Sequence, residues 1–408
     1  MTQHRLSERT IRFLIIMIFL AAAMETDIYL PAFPDIMHAF ATNEVMIQRI
    51  LSFNFLGVCV ASLIHGPASD SFGRKRVLNV GYILFITASF GCVFSSSINM
   101  LIFWRFVQGF GSAACFIIGA SVVFDLYKAE KAAKLVGDLN SLVVSLIAFA
   151  PMIGGWINYT LGFHFNFLFI AGLALISGAI CWLKLPESLP IEKRKPFSAR
   201  EIGGNYLTVL KNGNFWANTI ITTMIFSGYM VFISNMSLIY VDKLHVEKAH
   251  FPFYQVSLLI AFVIASLNSG RLIGWFGLEK MKSVGFTILV LSTILMWSMP
   301  VAWQQTPMYI TGAMVLYSLG AGISIGIFFT KAMEASTGQT GISASLLTSI
   351  RLALVALLID ISSDVYDGTM TTVVRVIAGC ITVGVIIYWL NAAANKKTNK
   401  TPTQIPNG

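Results

Sequence analysis

Apolar runs long enough to cross a bilayer as helices recur twelve times along this 408-residue chain. A hydrocarbon core of about 30 Å takes about 20 helical residues. The runs that meet this requirement cover 12–34, 45–65, 77–97, 98–120, 135–157, 162–183, 214–240, 253–275, 282–303, 306–330, 341–362 and 370–391. A helix satisfies its own backbone hydrogen bonds in lipid, and the runs are far too long for the alternating strands of an outer-membrane barrel. The expected fold class is therefore an all-α integral membrane protein with 12 transmembrane helices. Composition agrees, with 56% hydrophobic and only 12% charged residues, where a soluble domain carries about a quarter charged. An ordinary soluble enzyme, a nucleic-acid-binding module and a disordered chain are excluded. The net charge of +9 sits in short blocks between apolar runs, so the expected partner is the lipid bilayer and not a nucleic acid.

Cys59, Cys92, Cys115, Cys181 and Cys380 all lie inside apolar runs, with neither a CxxC pair nor zinc-type spacing. They read as small packing residues; no metal site and no cofactor is expected. Arg5, Arg9 and Arg12 ahead of Phe13–Leu20 and three alanines resemble a secretory signal. The apolar segment runs on to about Phe33, long enough to span, and is read as an uncleaved first helix.

Basic residues set the orientation. With the N-terminus inside, 22 of the 28 Lys and Arg fall on the cytoplasmic side, around Arg74, Lys131, Lys280 and Lys331 and in the linker and tails. The outer loops hold two, Lys243 and Lys248. This asymmetry puts both termini in the cytoplasm. The longest connection, 184–214, carries Glu192-Lys193-Arg194-Lys195-Pro196 and then Ile202, Tyr206, Leu207 and Leu210 at helical spacing, the pattern of an interfacial helix. It divides the chain into a first six-helix bundle (1–190), a cytoplasmic linker (191–213), a second six-helix bundle (214–393) and a polar, disordered tail (394–408). An internal repeat supports this division. Gly66-Pro-Ala-Ser-Asp70-Ser-Phe72-Gly73 and Gly270-Arg-Leu-Ile-Gly274-Trp-Phe276-Gly277 share two Gly and one Phe at an offset of 204 residues, after the second and eighth runs. Repeats of this kind place substrate at the midplane between the halves.

The segment Gly66-x-x-x-Asp70-x-x-Gly73-Arg74-Lys75-Arg76 carries glycines for a tight turn and a carboxylate able to cap a helix or pair with a neighbouring Arg. Such contacts form a cytoplasmic gate; spacing alone equally allows a plain turn with topogenic charges. This segment resembles the loop 2–3 signature of the major facilitator superfamily at every fixed position. Leu101-x-x-x-Arg105-x-x-Gln108-Gly109-x-Gly111-Ser112-Ala113 is similar to the second signature of its proton-coupled antiporters. Ala150-Pro151-x-x-Gly154-Gly155 resembles the helix 5 antiporter motif, with Ala150 and Leu146 in place of glycines. Asp27-x-Tyr29-Leu30-Pro31-Ala32-x-Pro34 and Pro186-Glu187-Ser188-Leu189-Pro190 look like the Bcr/CflA branch of twelve-helix drug:proton antiporters. The sequence departs at Phe124-Asp125, where many relatives have Arg-Asp. The resemblance implies the major facilitator fold, two pseudo-symmetric six-helix bundles in a bacterial inner membrane. It further implies a monomer that exports small molecules by alternating access, driven by protons.

Asp27 and Arg105 each sit about 10 Å below the outer surface by residue count, where a charge needs a partner or water. A carboxylate held between burial and a nearby cation can load and release a proton, so Asp27 is the expected proton-coupling site, with Arg105 controlling its charge. Glu25, about 200° round a continuous helix from Asp27 and on the same face as Tyr29, is placed at substrate or paired elsewhere. Pro151 with Gly154 and Gly155 softens helix 5 and admits a neighbour. Arg351, near mid-membrane, points inward toward a substrate anion or a structural partner; Asp360 and Arg375 read as rim charges. Tyr29, Phe53, Asn54, Phe226, Tyr229 and Asn235 are candidates for lining a central cavity suited to amphipathic organic molecules. One coupled proton is worth about 2.3 kcal/mol per 100 mV. No GxxxxGK[ST] is present for ATP, and no HExxH or GxSxG for hydrolysis. Three readings remain in order: a proton-coupled exporter of drugs, metabolites or siderophores; an importer or facilitator of a nutrient or metallophore on the same fold; and a non-transporting membrane receptor or enzyme.

Overall fold

Proline breaks the first apolar run. Pro31 and Pro34 carry no N–H, so the carbonyls of Asp27 and Leu30 cannot receive the bonds of a continuing α-helix. Helix α1 (Glu8–Met24) therefore stops well short of the end expected at residue 34. The chain turns through Glu25–Tyr29, forms a 3-10 turn over Leu30–Ala32 and resumes as the short helix α2 (Phe33–Ala39). Tighter bonds take over there, from Leu30 N–H to Asp27 O at 3.4 Å and from Ala32 N–H to Tyr29 O at 2.9 Å. Irregular backbone at membrane depth is tolerated only where protein buries it, and Ile28 through Pro34 are all buried.

This computed structural model describes residues 8–127, 149–194, 196–335 and 340–398, together with Leu135 and Ile147. Leu146, Lys195, Arg5 and the lysines around 131 lie outside the described residues. After α2 come α3 (Glu44–Phe72), α4 (Arg74–Val93), α5 (Ile98–Leu126), α6 (residues 149–161), α7 (His164–Lys184) and the linker helix α8 (Ala199–Leu210). The second half holds α9 (Gly213–Ser237, continued by a π turn to Lys243), α10 (Phe251–Phe276), α11 (Leu278–Trp297) and the one-turn α12 (Val301–Gln304). Then follow α13 (Pro307–Glu334), α14 (Thr340–Val365) and α15 (Met370–Thr398). Ten of these helices are long and apolar enough to cross a membrane. Asn43 and Ser97 cap α3 and α5, accepting from Met46 N–H at 3.1 Å and Met100 N–H at 3.3 Å. Helix α15 continues to Thr398, past the point where the polar tail was expected to begin.

The packing repeats from half to half. In the first half α5 packs on α1, α3 and α4, while α7 packs on α1 and α4. In the second, α13 packs on α9, α10 and α11, while α15 packs on α9 and α11. Each contact has its counterpart, as expected of two pseudo-symmetric six-helix bundles. The linker belongs mainly to the second. Val209, Tyr206 and Leu210 of α8 pack with Phe215, Ala332, Leu346 and Leu347, while Leu207 stays exposed. Tyr206 also reaches the first bundle: its hydroxyl donates to Leu63 O at 3.1 Å. Pro67, inside α3, has no N–H to offer that carbonyl, and Tyr206 supplies the missing donor.

Candidate functional site

The break in the first run aims the Glu25 side chain into the first bundle. Arg105 Nη1 meets Glu25 Oε2 at 2.7 Å, with the two side chains 0% and 2% exposed. Asn54 Nδ2 donates to Glu25 Oε1 at 3.2 Å and Ser112 Oγ to the same oxygen at 3.1 Å. Arg105 Nη1 also donates to Gln108 Oε1, whose amide donates to Ser89 Oγ at 2.8 Å. The guanidinium lies 4.2 Å from the centre of the Tyr29 ring, which packs against Phe33 and Phe167. Residues from five segments thus converge on one buried ion pair. A charge so enclosed is tolerable only with a partner and satisfied lone pairs or protons; the Glu25 carboxylate meets both conditions, whereas Arg105 bonds through Nη1 alone, its Nε and Nη2 being buried without a partner among the described residues.

This arrangement corrects the expected pairing of Arg105 with Asp27. The angular argument assumed an uninterrupted helix; with the helix ending at Met24, Glu25 takes the inward position. Asp27 is half-buried and has no ion pair or side-chain hydrogen bond among the described residues, and it lies within electrostatic reach of Glu25 and of Tyr229 on α9. Tyr29 and Asn54, expected at a central cavity, are instead fully buried in this network. Asn235, also expected there, seals the halves together. Its Oδ1 accepts from Gln48 Nε2 at 2.8 Å and its Nδ2 donates to Ser362 Oγ at 3.2 Å.

Tyr229 and Phe226 sit one turn apart on α9. Tyr229 is 6% exposed with no partner for its hydroxyl among the described residues, and Phe226 is half-buried with the Arg351 guanidinium 5.1 Å from its ring centre. Arg351 makes no ion pair, and its Nε is buried without a partner among the described residues. Phe53 is 38% exposed. Asp360, read as a rim charge, accepts from Arg49 Nε at 3.0 Å and so joins α14 to α3.

At the end of the molecule that carries the linker, Gly73 adopts φ +99°, in the region open to glycine, and a Cβ there would stand 2.4 Å from Glu187 Oε2. The turn lets Arg74 reach Asp70 Oδ1 at 2.6 Å and Asp125 Oδ2 at 3.0 Å. Ser188 donates to Asp125 at 2.9 Å, the Arg74 N–H to Glu187 Oε1 at 2.9 Å, and Arg194 pairs with Glu187 at 3.4 Å. One arginine from the turn itself thus bridges the acids, while Phe124, the point where the sequence departs from the expected Arg-Asp, is 53% exposed. Gly66 lies across from Ser345 of α14, and Lys75 is half-buried. At the opposite end, a Cβ on Gly154 would stand 1.6 Å from Ile28 O and one on Gly155 2.4 Å from Pro252 of α10. Next to Pro151 and Ala150, these glycines let α6 close on the broken first run and on the second bundle. Asp35 pairs there with Lys248 and accepts from Asn158 Nδ2 at 2.6 Å.

Two matched helical bundles, the first enclosing a buried ion pair and both meeting where α3 packs on α14, form the architecture of a membrane transporter. The family model described as Major Facilitator Superfamily matches residues 15–359, and the chain belongs to that superfamily. It is 24% identical over 373 residues to a bicyclomycin resistance protein homolog of Haemophilus influenzae, covering 91% of this chain and 93% of the relative. It is also 24% identical over 391 residues to a chloramphenicol resistance protein of Pseudomonas aeruginosa, covering 93% and 90%. A multidrug resistance protein MdtL of Vibrio parahaemolyticus is 22% identical over 321 residues, 79% of this chain and 80% of that one. Among solved structures, a D-xylose-proton symporter superposes with TM-score 0.73 at 12% identity, over 93% of this chain and 97% of that one. The human organic anion transporter MFSD10 superposes with TM-score 0.70 at 15% identity, over 94% and 100%.

Proposed function

We propose that this transporter exports small organic compounds in exchange for protons, by alternating access, as a monomer in a bacterial inner membrane with its linker end in the cytoplasm. The observation that carries the reading is the division of labour between the two acids of the broken first run. Glu25 is clamped by Arg105, Asn54 and Ser112, which fixes its charge. Asp27 has no cation of its own among the described residues and stands beside Glu25 at the face toward α9, where uptake of a proton relieves like-charge repulsion. Arg105 thereby acts on Asp27 indirectly, through Glu25. The names of the drug-resistance relatives support efflux, and the 22-to-2 split of basic residues supports the orientation.

The contacts at the far end, Asp35 with Lys248, Gln48 with Asn235 and Gly155 with Pro252, hold the halves together on the outer side. The Arg74 network with Asp70, Asp125 and Glu187 acts on the cytoplasmic side, within the first bundle. Substrate occupies the interface lined by Phe226, Tyr229, Arg351 and Asp27. The test is transport in proteoliposomes with an imposed pH gradient. Wild type accumulates substrate in proportion to the gradient; Asp27→Asn retains exchange without gradient-driven accumulation. Gradient-driven accumulation by Asp27→Asn would refute the assignment.

A further inference from the structure

A pocket of about 430 Å³ opens on the outer flank of the first bundle, away from the transport interface. One wall is a single stripe of α4 at helical spacing, Lys75, Arg76, Asn79, Val80 and Ile83. Phe72 at the end of α3, Trp182 at the linker end of α7, and Glu187 and Arg194 beyond it complete the lining, Glu187 being its one acid. The stripe is graded. Its cations lie in the first turn of α4 at the linker end, and Val80 and Ile83, 52% and 49% exposed, lie further along the helix toward the bilayer core. Ile83 is nine residues beyond Arg74, about 13 Å along the axis. Trp182, 52% exposed, stands at the level where such rings prefer the membrane interface.

Two of the three cations are uncommitted. Arg194 is held by Glu187, but neither Lys75 nor Arg76 makes an ion pair among the described residues. A neighbouring acid therefore does not satisfy this charge, and an apolar groove runs from it into the hydrocarbon. We infer that the pocket holds an anionic phospholipid of the inner leaflet, its phosphate among Lys75, Arg76 and Arg194 and an acyl chain along Val80, Ile83 and Trp182. The inference rests on the cytoplasmic placement of the linker end given above, and its occupant touches the gate. Glu187 both clasps Arg194 in the pocket and accepts the backbone N–H of Arg74, so a headgroup there steadies the turn that bridges Asp70 and Asp125.

The test is thermal unfolding of the purified, delipidated full chain with added phosphatidylglycerol, phosphatidylcholine or inorganic phosphate, with bound lipid counted by native mass spectrometry. Phosphatidylglycerol is expected to raise the unfolding midpoint and be retained, with phosphatidylcholine weaker and inorganic phosphate without effect. Each basic residue near an anionic surface is worth roughly a fivefold change in affinity, so Lys75→Gln/Arg76→Gln weakens retention roughly 25-fold. Lys75→Arg/Arg76→Lys keeps it, which separates charge from misfolding. Equal stabilisation by inorganic phosphate, or undiminished retention by the double glutamine variant, overturns the inference. These readouts need no substrate or proton gradient, so failure here is distinguishable from failure of the proposed exchange.

Discussion

Removing Arg105 gives the sharpest quantitative test of the buried network. In Arg105→Met the Glu25 carboxylate stays 2% exposed and keeps two neutral donors, Asn54 at 3.2 Å and Ser112 at 3.1 Å. Neutral hydrogen bonds contribute about 1 kcal/mol each, whereas leaving a buried charge without its counter-ion costs about 3–5 kcal/mol. Glu25→Gln strands Arg105, also fully buried, at a similar cost. The double variant Glu25→Gln/Arg105→Met buries no unpaired charge, so the two losses should fall short of additivity by about 3 kcal/mol or more, the size of one stranded-charge penalty. Reversible unfolding in mixed detergent micelles measures all four corners of the cycle. Additivity within about 0.5 kcal/mol would mean that the pair is not energetically coupled, and the assignment of Glu25 as the fixed charge would fall with it.

Three further outcomes follow from the geometry. Gly154→Val, whose Cβ has no room beside Ile28 O, should cost about 1–3 kcal/mol through overpacking and abolish transport; wild-type transport by the purified variant would contradict the close approach. Asp35→Cys with Lys248→Cys, bridged by a short reducible bis-methanethiosulfonate crosslinker, should tie the halves together and arrest transport until reduced, whereas transport by the fully crosslinked protein would contradict the need for the far end to open. Asp367 lies in the loop before α15, where bonds from the Thr369 and Thr372 side chains hold its carboxyl at about 2, below the ordinary 3.8. The sign is that of a depressed acid. Its stabilisation is complete above pH 3.8 and is lost as the pH falls toward 2, which amide exchange at Thr369 reads directly. Protection that fades already above pH 5 would contradict the bonding.

How much was legible in the sequence divides along a physical line. Hydropathy counts local composition, so the runs at Ile98, His164 and Pro307 begin within two residues of their expected starts. The Gly73 turn was legible because a positive φ demands glycine. What failed was extrapolation through Pro31 and Pro34. Residue counting put Asp27 and Glu25 on opposite faces of a helix that ends at Met24, and so assigned the wrong acid to Arg105. The two prolines were in plain view and signalled the break; where the chain would point after it was not local information. The pairing of Arg49 with Asp360, 311 positions apart, is likewise set by how one bundle leans on the other. Phe124 stands 53% exposed and takes no part in the pairing of Arg74 with Asp70 and Asp125, which the motif spacing alone does not assign.

The linker hydroxyl resting on a carbonyl left bare by proline has a mechanical consequence. Helix α8 travels with the second bundle, yet its Tyr206 grips the backbone of the first at Leu63. Were that bond to part, the Leu63 carbonyl would have to find water or another donor, because Pro67 has no N–H to offer it. Under the alternating access proposed above, the connecting segment is a latch that has to release before the two lobes can part at this end.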